Sequence, residues 1–392
     1  KASRRMVFEL LLADQPARES AHNPNSKFWN WADKVGVSDS RFPPREKPMA
    51  DASHPAIAVN LDSCINCTLC VRACRDVQVN DVIGMAGRGA GAKIVFDFDD
   101  PMGASSCVAC GECVQACPTG ALLPEAVTQP GMPGLIEADR TVDSICPYCG
   151  VGCQLTYHIK DDHLIRVEGR DGPANHQRLC VKGRFGFDYV HHAHRLTKPL
   201  IRKDGVTKDD FGSLDPANPL THFREASWEE ALDRAASGLK SIGDQHGGNA
   251  LAGFGSAKGS NEEAYLFQKL IRTGFHTNNV DHCTRLCHAS SVAALMENIN
   301  SGAVSAPFFA CEDSDVIIVI GANPTVNHPV AATYFKNAVK KGAKLIVMDP
   351  RGQALTRHAT HMLQFKPGTD VAMLNAIMHV IVEEGLTNPD YI

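Results

Sequence analysis

Eleven of the fifteen cysteines in this 392-residue chain fall in three tight runs, a twelfth follows the third run at a distance, and no other feature restricts the fold as strongly. Cys64, Cys67, Cys70 and Cys74 form C-x2-C-x2-C-x3-C. Cys107, Cys110, Cys113 and Cys117 repeat the pattern, with Pro118 next. Cys146, Cys149 and Cys153 give C-x2-C-x3-C, and 26 residues separate Cys153 from Cys180. Disulfide frameworks belong mainly to small secreted domains. In a long chain without a signal peptide, thiols spaced two or three residues apart read as metal sites.

The doubled run narrows the metal. Close thiolates on a turning backbone can wrap one face of an iron–sulfur cube, and the fourth corner then needs a cysteine from elsewhere. In two-cluster ferredoxins the fourth Cys of each run ligates the other cluster. Cys64, Cys67, Cys70 and Cys117 are therefore expected on one [4Fe–4S] cluster, and Cys107, Cys110, Cys113 and Cys74 on the second. Zinc sites also use four ligands, but usually as separated C-x2-C pairs. Cys146, Cys149, Cys153 and Cys180 suit a third [4Fe–4S] cluster, with Gly150 and Gly152 letting the backbone pass close to it.

At roughly 100–200 residues per domain, the length allows two to four domains. A net charge of −5 gives no reason to expect nucleic acid or an acidic membrane surface. No run of about 18 apolar residues exists, so no membrane span is expected. Ser3-Arg4-Arg5-Met6-Val7-Phe8 looks like a twin-arginine export signal, but Glu9 and Asp14 interrupt the apolar stretch such a signal needs. An amphipathic helix over 4–13 and a cytoplasmic location are expected instead. The chain begins at Lys1 and stops at Ile392 after a helix-like stretch, and is expected to be a fragment.

Four segments follow. Residues 1–50 read as a helical extension and linker, and 51–128 as an α+β ferredoxin-like module whose Ala86–Lys93 loop precedes a strand at Ile94–Phe96. Residues 129–138 are a Pro/Gly linker, and 139–200 a small cluster domain of short strands. Beyond about 225, helices and strands alternate, which implies a parallel α/β sheet in 201–392. Ser227 and Glu230 suggest a capping box opening a helix to about 242. Strands are expected at Leu251–Ser256, at Asp315–Gly321 (buried) and at Lys344–Met348. Helices are expected at Asn261–Thr273, Pro329–Lys341 and Thr369–Glu384.

The third run and the Val181-Lys182-Gly183-Arg184 that follows resemble the N-terminal cluster domain of the molybdopterin oxidoreductases, over residues 139 to the end. The resemblance implies that family's α/β fold and a pair of molybdopterin guanine dinucleotides (bis-MGD). It places Lys182 between cluster and pterin. Later turns fit the same cofactor. Gly255–Glu262, carrying Lys258 and Asn261, joins a strand to a helix N-terminus, a place suited to anionic groups. Gly321-Ala322-Asn323-Pro324 ends one strand, where open α/β sheets bind ligands. Asp349-Pro350-Arg351 ends the next; its Asp can accept from a guanine edge or ribose hydroxyls and its Arg can pair a phosphate. Pro367-Gly368-Thr369-Asp370 opens the last helix.

The stretch from Thr277 to Val292 resembles the formate dehydrogenase pattern, in which Cys or selenocysteine ligates Mo or W and His follows at once. Cys287 and His288 take those positions, and a soft thiolate suits such a metal. Related nitrate reductases carry Met after the Cys. The resemblance implies oxidation of formate to CO2, with His288 orienting formate or accepting a proton. It also implies a formate-holding Arg, whose motif is expected beyond Ile392. A ferredoxin module ahead of the pterin domain resembles the large subunits of NAD-linked formate dehydrogenases, whose NAD binds a separate flavin- and iron–sulfur-containing subunit. No G-x-G-x-x-G follows a strand here, in keeping with that division. Rival readings are a nitrate reductase-like enzyme and a non-catalytic electron-transfer subunit like the large iron–sulfur subunit of respiratory complex I. Cys283 and Cys311 are expected to be structural, Asp281 and His282 ordinary polar residues, and His191, His192 and His194 a solvated stretch.

Overall fold

The computed structural model describes residues 2–129, 133–302 and 306–392. Pro130, Gly131 and Met132 of the expected linker lie outside them. The chain forms two compact units, one of residues 1–188 with 307–392 and one of residues 189–306.

In the first unit the helix Ala2–Ala13 matches the amphipathic stretch expected at 4–13. Its Leu12 packs with Phe28, Trp29 and Ala32 of the helix Lys27–Val35. The ferredoxin-like module is built as a repeat. Ile57–Val59 pairs antiparallel with Leu122–Pro124, and Ile83–Ala86 with Lys93–Phe96. Ile57, Val59, Ile83, Ile94 and Phe96 fill one core, together with Cys70, Cys74 and Cys113. The expected 86–93 loop is thus the turn of a hairpin whose first strand the sequence pattern hides. Next comes an antiparallel sheet of Arg140–Ile145, Gln154–Lys160 and His163–Gly169.

The C-terminal part of this unit is a parallel sheet in the order Val316–Ile320, Lys344–Met348, His361–Leu363. The helix Pro329–Lys341 crosses between the first two strands, starting with Pro at its first turn and ending at Gly342 with φ 116°. The strand expected to be buried is so on one face only. Ile317 and Val319 are buried under this helix, whereas Val316 and Ile318 are exposed.

The second unit holds a parallel pair, Gly253–Gly255 with Val280–His282. The helix Trp228–His246 runs four residues past the expected end. Ser227 caps it by accepting from the Glu230 N–H, but the reciprocal half of the box is absent, because the Glu230 carboxylate is taken by Arg224. The complete capping box is at Ser260 and Glu263. The helix it opens is α-helical over Asn261–Lys269 and widens to a π turn over Leu270–Gly274.

Candidate functional site

Each ferredoxin-like run bends by the same two left-handed residues. Asn66 and Thr68 have φ of 54° and 60°; their counterparts Ala109 and Gly111 have 53° and 69°. These turns aim the Asn66 N–H at the Cys64 Sγ and the Ala109 N–H at the Cys107 Sγ, both at 3.4 Å. The Val82 N–H reaches the Cys74 Sγ at the same distance.

The thiols group across the repeat. Burial, and after it the neighbouring Cys64, Cys117 and Cys67, pushes the Cys70 thiol up to about 12. Burial chiefly, with Cys74 among the neighbours, pushes Cys110 up to about 12 and holds Cys113 well above the ordinary thiol range. So Cys117 stands with the first run and Cys74 with the second. Thiols crowded in this way resist ionising together unless a cation core sits among them, and an iron cluster supplies one. A lone zinc ion needs thiolates about 2.3 Å from one point. No three His, Cys, Asp or Glu side chains among the described residues converge on a metal-ion position. Four thiols to a set is the complement that a [4Fe–4S] cluster uses.

The third set sits on a hairpin. Cys146, Cys149 and Cys153 occupy the loop between Arg140–Ile145 and Gln154–Lys160, closed by Cys146 N–H to Cys153 O at 2.9 Å. Gly152 turns this loop at φ 73°. Burial and then Cys146, Cys180 and Cys149 push Cys153 up to about 12. Cys180 leads into the helix Val181–Phe185. Its Gly183 lies close against the set: a Cβ there would stand 3.4 Å from the Cys146 Sγ. Lys182 donates to the carbonyls of Val326 (3.1 Å) and Asn327 (3.5 Å), and its charge favours the Cys146 thiolate. A cavity of about 420 Å³ borders both Cys110 and Cys180, and Lys182, Lys336, Arg357 and His358 line it. Its cations would accommodate an anionic group.

Gly321, Asn323, Asp349, Arg351, Gly368 and Asp370 all follow the carboxyl ends of the parallel strands in the first unit. Asp349 is buried; its carboxylate accepts from the Arg351 N–H at 2.8 Å and from the Gln353 Nε2 at 3.4 Å. The Gln353 Oε1 is buried with no hydrogen-bond partner. A carboxylate beside an unpaired amide oxygen suits a ligand edge rich in N–H donors, as guanine's is. The Arg351 side chain is exposed, with its Nε 3.8 Å from the Asp349 carboxylate.

In the second unit, Ser256–Asn261 and Cys283–His288 both leave the carboxyl ends of the parallel pair, and the Ala257 N–H meets the Cys283 Sγ at 3.3 Å. Lys258 and Asn261 are exposed on the first turn. Cys287 ends the short helix Thr284–Cys287, and His288, with φ −150° and ψ 23°, separates it from the helix Ala289–Ile299. The Cys287 side chain is exposed. Asp281 and His282 brace this turn: Asp281 pairs with Arg285 at 2.8 Å, and the His282 ring accepts from the Thr284 N–H at 3.0 Å. His191, His192 and His194 are exposed.

Sequence reading misses a buried polar junction in the first unit. Arg184, 3% exposed, donates to the Cys110 carbonyl at 2.7 Å, to the Gln115 Oε1 at 2.8 Å and to the Glu112 carboxylate at 3.3 Å. Gln78 bridges Glu112 and the Leu179 carbonyl. These contacts tie the second thiol set to the third. Their partners lie 34 to 101 residues apart, beyond any local pattern.

Comparison with known proteins defines the class. The molybdopterin oxidoreductase pattern matches residues 195–390, its Fe4S4 domain 139–192, and a 4Fe-4S dicluster domain 63–121. The chain belongs to the molybdopterin oxidoreductase family, with Fe4S4 domains ahead of the pterin-binding part. A Staphylococcus haemolyticus protein provisionally named a formate dehydrogenase is 33% identical over 93% of this chain and 39% of its own length. The Bacillus subtilis protein YjgC, provisionally named an oxidoreductase, is 32% identical over the same shares. The chain spans about two-fifths of the length of these relatives. Acetylene hydratase from Pelobacter acetylenicus shares the fold, with a TM-score of 0.52 and 22% identity over 64% of this chain and 33% of that one. No helix among the described residues is long and apolar enough to cross a membrane.

Proposed function

We propose that this chain is the cluster-bearing and metal-ligating part of a formate dehydrogenase catalytic subunit, acting reversibly between formate and CO2. The observation that carries the reading is the Cys287-His288 pair, exposed on a turn at the carboxyl end of parallel strands. The names of the Staphylococcus relatives support it.

Cys287 would supply the thiolate ligand to Mo or W, and His288 would orient formate or take a proton. Lys258 and Asn261 in one unit, and Gly321, Asn323, Asp349, Arg351, Gly368 and Asp370 in the other, would hold the guanine dinucleotides. The three thiol sets would hold [4Fe–4S] clusters, crossed between the two ferredoxin-like runs, with Lys182 favouring negative charge beside the third. Bound there, the metal–pterin centre and the clusters supply two-electron oxidation and one-electron relay. A flavin- and NAD-binding iron–sulfur subunit is the proposed acceptor, and the cytoplasm the proposed compartment.

The test is formate-driven reduction of a one-electron dye by the full-length protein, with metal measured on the same samples. Cys287→Ser replaces a soft ligand by a hard, protonated one and should abolish most activity. His288→Ala should keep metal and clusters and lose about 10²–10⁴-fold in turnover. Near-normal turnover in Cys287→Ser would move the ligand elsewhere.

A further inference from the structure

Lys336 lies on the inner face of the helix Pro329–Lys341 and is only 6% exposed. Its ammonium donates to the Gln78 carbonyl at 2.6 Å and to the Asn80 Oδ1 at 3.2 Å. Among the described residues no carboxylate pairs with it; Arg357 and Lys340 oppose its charge, and the sulfurs of Cys110 and Cys74 would favour it once ionised. Two further cations fasten the same segment. Lys340 donates to the Arg75 carbonyl at 2.6 Å and Arg357 to the Asn80 carbonyl at 2.9 Å. Three basic side chains from residues 336–357 thus clasp the backbone that leaves Cys74.

A buried ammonium without a carboxylate is costly, and carbonyl dipoles offset only part of that cost. The anion that would complete the balance is a thiolate-ligated cluster on the second set. We infer that Lys336 is a positioning residue for electron transfer, the buried cation that raises the reduction potential of the cluster held by Cys74, Cys107, Cys110 and Cys113. This rests on the reading that those thiols hold a [4Fe–4S] cluster. Reduction adds one negative charge and makes or breaks no bond, so a nearby fixed cation stabilises the reduced form more than the oxidised one. Burial keeps that attraction from being screened by salt. The placement matters for the relay. Lys336 lines the cavity that borders both Cys110 and Cys180. A raised potential at the second cluster would favour it as receiver of an electron from the third.

The experiment is an anaerobic redox titration of the full-length holoenzyme, read by low-temperature EPR, on wild type, Lys336→Gln and Lys336→Arg. In Lys336→Gln one reduction wave should fall so that its reduced-to-oxidised ratio at fixed potential drops about tenfold, equivalent to about 59 mV for one electron. The wave that moves should be the one Cys107→Ser removes. Lys336→Arg keeps the charge and should stay close to wild type. Cluster loss in the Gln variant but not in Arg would also support the charge role. Unmoved waves in a Gln variant with all clusters present would overturn the inference, as would loss of the cluster in both variants, which makes the residue a packing element. Absence of this cluster from wild type would instead overturn the functional reading beneath it.

Discussion

Arg184 offers the sharpest test of how the relay is held together. The change Arg184→Met keeps the side chain's length and removes every donor. Glu112 then keeps a single side-chain partner, Gln78 Nε2 at 3.3 Å, inside a site it shares with the second thiol set. The Cys110 carbonyl and the Gln115 Oε1 each lose a charged donor. Breaking a buried ion pair by removing one partner costs about 3–5 kcal/mol, mostly from the charge left behind. Cluster proteins unfold irreversibly, so the observable is a rate. With about 1.4 kcal/mol per tenfold, the unfolding rate in urea, followed by the loss of cluster absorbance, should rise between about 10- and 10³-fold, depending on how much of the junction survives in the transition state. The double variant Arg184→Met/Glu112→Leu removes the stranded charge and should recover more than half of that loss. A single variant that unfolds at the wild-type rate, or a double variant no slower than the single, would refute the claim that this pair bears on the junction.

Two further predictions use the same structure. Cys74→Ser should remove the cluster expected on Cys107, Cys110 and Cys113 and spare the one on Cys64, Cys67 and Cys70, as read by EPR and iron content; the opposite pattern would show that the ligation is not crossed. Glu168 is held at about 2, below its ordinary 4.5, chiefly by the His158 Nε2 at 3.2 Å and by the Arg166 charge. Its folded-state value is lowered, so its stabilisation is present above about pH 4.5 and is lost as pH falls towards 2. Its side chain is 45% exposed, which reduces the contribution to about 1 kcal/mol. Glu168→Gln should cost that much near pH 7 and little near pH 2, and an equal loss at both would reject the pairing.

Local chemistry made much of this legible. The thiol runs display their spacing, and the helix Pro329–Lys341 carries its own start and stop signals in Pro329 and Gly342, ahead of the apolar strand Lys344–Met348. Ser227 and Ser260 carry the same turn chemistry, but only the Ser260 box closes, because Arg224 occupies Glu230, which nothing local shows. The strand at Val280–His282 is too short and polar to announce itself; it forms because Gly253–Gly255 lies alongside to pair with it. Lys336 and Arg184 look like surface cations in sequence. Their burial follows from carbonyls that the tertiary fold brings from 258 and 74 residues away.

The most direct test of the central claim adds formate, and nothing else, to the oxidised, metal-loaded full-length protein under anaerobic conditions and records the EPR spectrum. Formate oxidation at a Cys287-ligated centre wired to three thiol sets predicts that formate alone reduces the clusters, with spin intensity approaching that reached with dithionite. Clusters that dithionite reduces and formate leaves oxidised, in protein shown to contain pterin and Mo or W, would contradict it.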